Sequence, residues 1–279
     1  MQVNTVNQPR RILKTALKQL LFPPFARRIA RAWLQEYWAS LARNIDLARM
    51  RIAAEESATF VSHTAPMARS YRDKWQLLAV AVGAVRLRGL YCEFGVFTGE
   101  SINYIAARVT EEVHGFDSFD GLPEDWRASF EAGKFKVKEL PKVAPNVTLH
   151  KGWFHNSIPG FLRENSGPIA FLHIDCDLCS STDTVLRALA DRIVAGTVIQ
   201  FDEFFNYPGW RSGEYEAFSK FCRDWRVELK YIGYVSDGEQ LALRVTAIQP
   251  SAAPSSVQDV ALAGLPDCHT HGLRSDARV

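Results

Sequence analysis

Short apolar runs alternate with amphipathic stretches through the middle of this chain, the rhythm of strands and helices taken in turn. The spacing predicts a helix over Lys74–Arg86, a strand over Gly89–Phe94, a helix over Ser101–Val109 and a strand over Val113–Asp117. Asn146–Lys151, Ile169–Asp175 and Thr197–Asp202 read as further strands, with helices over Thr182–Asp191 and Gly213–Asp224. Val227–Val235 and Gln240–Val245, joined by Ser-Asp-Gly-Glu, read as an antiparallel hairpin at the sheet's edge. Strands that alternate with helices pair in parallel. The expected fold is therefore α/β: a doubly wound, Rossmann-like, mostly parallel seven-stranded sheet with helices on both faces. Ligands of such a sheet lie outside the strands' carboxyl ends.

The flanks read differently. From Arg10 to about Ala54 the pattern is helical, interrupted at Pro23-Pro24, and its first half holds Arg10, Arg11, Lys14, Lys18, Arg27, Arg28 and Arg31 with no acid before Glu36. A solvated cap or dimer helix is the favoured reading, and a basic helix touching anionic lipid is the alternative. After Gln249 the composition turns to Pro, Ser, Ala and polar residues, which predicts a disordered tail. The expected division is a helical segment over 1–70, one α/β domain over 71–249 and the tail over 250–279.

A chain of 279 residues, 47% of them hydrophobic, can bury one sizeable core. A net charge of +2 gives no general affinity for nucleic acid. No apolar run reaches the ~20 residues of a membrane span, no apolar leader follows the basic N-terminus, and five cysteines suggest no disulfide framework. A cytoplasmic protein is expected, with homo-oligomerisation open.

The chemistry concentrates where strands end. Tyr91-Cys92-Glu93-Phe94-Gly95-Val96-Phe97-Thr98-Gly99-Glu100-Ser101 reads as a strand turning on glycines into a helix, a place where backbone can approach a ligand closely. Asp117 closes the next apolar run, the position from which a doubly wound sheet offers a carboxylate to ribose. Phe97 and Glu100 break a dinucleotide fingerprint, and Glu100 sits where a P-loop needs lysine. A ribose-bearing ligand without a demanding phosphate fits, and S-adenosylmethionine is the commonest. Asp175 and the pair Asp202-Glu203 end two further strands. Singly, each acid is equally readable as a helix cap or an ion-pair partner, Asp202 with Arg211 for instance. Together Asp175, Asp202 and Glu203 would suit a hard divalent cation such as magnesium. Such an ion would bind an acceptor hydroxyl and lower its pKa. His155, or Asp175 itself, is then the candidate base, while His173, inside an apolar strand, reads as a satisfied core histidine.

Glu93-Phe94-Gly95-Val96, Gly115-Phe116-Asp117-Ser118-Phe119-Asp120-Gly121-Leu122-Pro123, His173-Ile174-Asp175-Cys176-Asp177-Leu178 and Phe201-Asp202-Glu203 together resemble the macrocin O-methyltransferase family, over about Tyr71 to Val245. The resemblance implies a class I S-adenosylmethionine-dependent enzyme that methylates a hydroxyl of a small, sugar-like or glycosylated acceptor with bound magnesium. It implies that Glu93 and the turn Gly95–Gly99, with Thr98 and nearby Ser101, meet the methionine part. Asp117 and Ser118 would hold the ribose, Gly152 and Trp153 would lie near the adenine, and Asp175, Asp202 and Glu203 would ligate the metal. Cys179 stands where the family carries an aromatic.

Three other signals compete. Cys176 and Cys179 form a C-x-x-C, redox-active or, with Cys268, His269 and His271, zinc-binding. Leu122–Val143 is long for a connection and reads as a lid whose Trp126, Phe130 and Phe135 cover the donor, or as a solvated insertion. For the whole chain the alternatives are a non-catalytic adenosyl-ligand-binding or scaffold protein and, less favoured, an NAD-dependent oxidoreductase.

Overall fold

The structure, a computed structural model, describes residues 24–249. Two helices lead, α1 (Pro24–Arg43) and α2 (Ile45–Thr64), the second capped by Asn44, whose side chain accepts the Leu47 N–H at 3.1 Å. A short strand β1 (Arg69–Tyr71) and helix α3 (Lys74–Ala84) follow, then β2 (Leu90–Phe94), α4 (Glu100–Ala106) and β3 (Val113–Asp117). After a long irregular connection come β4 (Val147–Lys151), α5 (Phe154–Glu164), β5 (Ile169–Ile174), α6 (Cys179–Leu189) and β6 (Val198–Phe201). Helix α7 (Glu214–Asp224) and strands β7 (Glu228–Val235) and β8 (Leu241–Ala247) complete the domain.

The described residues form one sheet in the order β1-β7-β8-β6-β5-β2-β3-β4. Strand β8 runs antiparallel to β6 and β7, and the other pairings are parallel. β5 (Ile-Ala-Phe-Leu-His-Ile) and β6 (Val-Ile-Gln-Phe) are buried throughout, as central strands covered on both faces must be. The sheet is α/β and doubly wound as expected, but it has eight strands rather than seven, and the hairpin is not its edge. Arg69-Ser70-Tyr71 pairs in parallel with β7 outside it. Three mostly polar residues carry no periodicity that reads as a strand; the pairing exists because β7 presents an open edge to it.

The core also reaches further back than the expected boundary at residue 70. Ala53, Ser57 and Phe60 recur at helical spacing on α2 and are buried. The Phe60 ring meets those of Phe204, Phe205, Trp210, Tyr215 and Tyr231 at centroid distances between 5.8 and 6.2 Å. Removing it would cost about 3–5 kcal/mol. Residues 10–23 of the basic stretch, the predicted tail and its Cys268, His269 and His271 lie outside the described residues.

The chain passes from β2 outward to β3 and β4, then crosses back to β5 on β2's other side. That reversal leaves a crevice between the carboxyl ends of β2 and β5, where open α/β sheets bind ligands.

Candidate active site

At the end of β2 the backbone turns on Gly95, with φ of 92°. A side chain there would run into the backbone carbonyl of Asp175, so only glycine lets the ends of β2 and β5 come this close. Asp117, the last residue of β3, organises the turn. Its Oδ2 accepts the N–H groups of Val96 and Phe97, both at 2.9 Å, and its Oδ1 accepts that of Phe119 at 2.6 Å. Three of a carboxylate's roughly four acceptor positions are thus spent on backbone, leaving one toward the crevice it lines. Ser118 Oγ accepts from the Asp120 N–H and donates to Gly121 O, closing the next turn. The Gly152 N–H donates to Asp117 O at 2.9 Å, which brings Trp153 to the crevice wall.

The other residues predicted for the donor are placed differently. Thr98 is exposed outside the wall, and Gly99, with φ of 83°, starts α4. Ser101 is buried and donates to Glu93 Oε1 at 3.1 Å. Glu93 itself lies wholly buried beneath the crevice. Its Oε2 accepts from His173 Nδ1 at 2.9 Å, so Glu93 holds His173 and does not line the crevice itself.

The cavity measures about 530 Å³, and its opposite wall is acidic: Asp175, Asp177, Asp202 and Glu203 all face it. Among the described residues, ligand atoms of His173, Asp175 and Asp202 lie within 4.8 Å of one another. Glu203, predicted as the third ligand, lies beside this group rather than in it, and its buried Oε2 makes no hydrogen bond. His173 takes the third place. It is not the satisfied core histidine its strand suggested, because its buried Nε2 has no hydrogen-bond partner and stands 3.9 Å from Asp202 Oδ1.

Lys74, at the start of α3, is the group that sequence reasoning missed. Its Nζ lies 3.2 Å from Asp202 Oδ2, so Asp202 pairs with Lys74, while Arg211 pairs with Glu56 at 3.3 Å. Burial works against the ammonium, but Asp202, then Asp175, outweigh it and raise its pKa. His173 is likewise raised: burial opposes its charge, and Glu93 prevails with help from Asp175 and Asp202. Asp175 is raised well above the carboxylate range by burial and by Asp202. Asp177 is pushed up to about 7, by burial first, with Arg127 opposing and Asp202 and Glu239 adding.

Glu214 was also missed. Fully buried at the start of α7, it accepts the Glu203 N–H through Oε2 at 3.1 Å and the Cys176 N–H through Oε1 at 3.4 Å. One carboxylate therefore ties together the loops that carry Asp175 and Asp202. Neither residue had a signal in one sequence, since Lys74 meets Asp202 across 128 positions.

His155 lies in the crevice wall at the start of α5. Cys176 and Cys179 form no disulfide, and burial, then Glu214, raises the Cys176 thiol well above its ordinary range, which opposes a low-pKa redox pair. Within the long connection Phe135 reaches the crevice and packs on Phe97 at 5.3 Å. Trp126 does not line it; its ring lies under the Arg127 guanidinium, 3.8 Å away, and Arg127 Nη1 bridges to Glu239 at 3.0 Å. Trp210 is buried core.

A sequence model of the family described as a methyltransferase domain matches residues 92–204, from within β2 to just past β6. No curated protein sequence matches the chain. Among solved structures it is similar to the calicheamicin methyltransferase CalS11, at 20% identity over 87% of this chain and 94% of that one, with a TM-score of 0.49. It is similar to the O-methyltransferase NovP, at 21% identity over 62% and 79%, with a TM-score of 0.46. A third likeness is to TomG from Streptomyces achromogenes, in complex with SAM, at 18% identity over 77% and 96% and a TM-score of 0.41. Residues 92–204 thus match a methyltransferase domain, and the crevice lies where the strands of that stretch end.

Proposed function

We propose that this protein is an O-methyltransferase of the macrocin type, acting with a divalent cation on a hydroxyl of a small sugar-like or glycosylated metabolite. One observation carries the reading: a single cavity is walled on one side by the Gly95 turn and Asp117 and on the other by Asp175 and Asp202. S-adenosylmethionine supplies a methyl on a sulfonium, which needs alignment more than activation. Asp117 would meet its ribose hydroxyls with the one acceptor position the turn leaves, and Trp153 would lie against the adenine. On the acceptor side Asp175, with a carboxyl raised by burial, would be the stronger base and take the hydroxyl proton as the oxygen–carbon bond forms, the sulfur–carbon bond breaks and S-adenosylhomocysteine leaves. Asp202 and Lys74 hold the acceptor oxygens, and His155 is the second candidate for the proton.

The donor set fits a cation. His173 offers an unpartnered Nε2 and is held from behind by Glu93, the arrangement in which a carboxylate orients a metal-binding imidazole. With Asp175 and Asp202 it forms a mixed nitrogen and oxygen set that suits manganese or zinc as well as magnesium. A second reading rests on Lys74: its ammonium already neutralises Asp202, and the acidic wall would then work without metal.

Calorimetry with S-adenosylmethionine and with NAD, each with and without magnesium or manganese, tests the class. Donor binding with no NAD binding supports it, and NAD binding alone would overturn it. Methyl transfer to glycosylated acceptors, abolished by chelator and restored by metal, selects the first reading; full turnover in chelator selects the lysine.

A further inference from the structure

We infer that the N-terminal helical segment binds the surface of an anionic lipid bilayer. Helix α1 is an amphipathic helix whose apolar side is left uncovered by the described residues. Ile29, Trp33 and Tyr37 recur every fourth residue, with Leu34 and Trp38 alongside, and all five are exposed, Trp33 to 67%. Trp33 and Tyr37 stack on each other, ring centroids 5.6 Å apart, and no described side chain of α1 is buried. A solitary helix of 20 residues is marginal in water and needs a partner for such a face.

Charge selects the partner. Residues 10–43 hold eight of the chain's 33 lysines and arginines but one of its 31 acids, Glu36. Against a second copy of this segment that excess would repel. Against anionic lipid it attracts, while Trp and Tyr favour the boundary between headgroups and acyl chains. No described helix is long and apolar enough to cross a membrane, so α1 would lie on the surface. Nothing in this inference depends on what the crevice binds.

The test uses the full chain and vesicles of phosphatidylcholine, alone or mixed with phosphatidylglycerol. Cosedimentation with the mixed vesicles only, reversed by high salt, is expected. Arg28→Gln with Arg31→Gln should weaken partition roughly 30-fold, at about one salt-sensitive charge contact each. Trp33→Ser with Tyr37→Ser should weaken it roughly tenfold or more. An unchanged melting temperature and far-UV circular dichroism spectrum in both variants show that the domain remains folded. Equal partition onto neutral vesicles, or none onto anionic ones, would overturn the inference. So would a lipid-free dimer in sedimentation velocity that Trp33→Ser dissociates, because α1 would then be covered by a second copy.

Discussion

On the β2–β3 bank of the crevice a carboxylate is held by three backbone donors; on the β5–β6 bank carboxylates face one another. Asp117 collects three backbone N–H groups, so its charge is satisfied before any ligand arrives. Across the cavity Asp175, Asp177, Asp202 and Glu203 share Lys74, His173 and Arg127 as counter-charges, and His173 Nε2 and Glu203 Oε2 are left without hydrogen bonds. The first bank is preformed for a neutral or cationic ligand. The second is held in tension, and burying like charges is costly unless a cation or proton lies between them. Fold stability does not require such an arrangement, which makes this bank the candidate for the chemistry proposed above.

If the banks have separate jobs, substitutions should separate them. Asp175→Asn should lower turnover by about 10²–10⁴, the range for a lost general base, and leave S-adenosylmethionine affinity nearly unchanged. Titration calorimetry and single-turnover transfer read the two quantities independently. A parallel loss of donor affinity would mean that the banks form one site.

Asp117→Ala tests the opposite bank. Losing hydrogen bonds to a charged group should weaken donor binding by about 1.5–3 kcal/mol. Because Asp117 holds the turn, Asp117→Asn, which keeps one acceptor oxygen, should fall between. Affinity unchanged in a folded Ala variant would place the ribose elsewhere.

Glu214→Gln sharpens the distinction further. The carboxylate accepts from two N–H groups, and an amide can accept from one while presenting its own N–H₂ to the other. The loops carrying Asp175 and Asp202 should then part slightly, lowering kcat/KM for the acceptor about tenfold, as for a lost hydrogen bond. Donor affinity, read on the same sample, should hold. A fall in both would reduce Glu214 to a general support of the fold.

The order of strands and the strand-end acids were legible because they follow from local pattern: apolar runs of strand length, and glycines where the chain must turn. Strand β1 was not, since three residues pair only because β7 offers an edge. In the site, Asp117, Asp175 and Asp202 could be placed from strand ends alone. Asp202 and Glu203 both line the cavity but only Asp202 comes within reach of His173 and Asp175, and His173 looked like core because it is buried, one ring nitrogen bonded and the other left without a hydrogen bond. Lys74 and Glu214 arrive from distant helices, and single-sequence spacing holds no record of that approach. The same limit explains Trp126, whose aromatic character promised a lid but whose ring serves as a platform for Arg127 instead.

The acidic bank and a histidine pair on β3 and β4, outside the cavity wall, should titrate with opposite sign. On the acidic side Asp177, pushed up to about 7 from an ordinary 3.8, binds its proton more tightly folded than unfolded. That contribution to stability is present below about pH 4 and lost as pH rises through 7. His114 and His150, on β3 and β4 with ring nitrogens 3.3 Å apart, are lowered from 6.5, by burial first. Their contribution is present above pH 6.5 and lost as pH falls. Between pH 8 and 6.5 the acidic bank acts alone, so in chelator Tm should rise as pH is lowered, by about 2–4 °C for each kcal/mol. Asp177→Asn should flatten that rise, and saturating metal at pH 8 should replace it by mass action on the folded state. Below pH 6.5 the histidines oppose further gain, and His150→Phe, which keeps the stack on Phe116, should remove that opposition. Differential scanning fluorimetry across this range reads all three. If Asp177→Asn follows the wild-type curve, Asp177 is not the group that carries the rise.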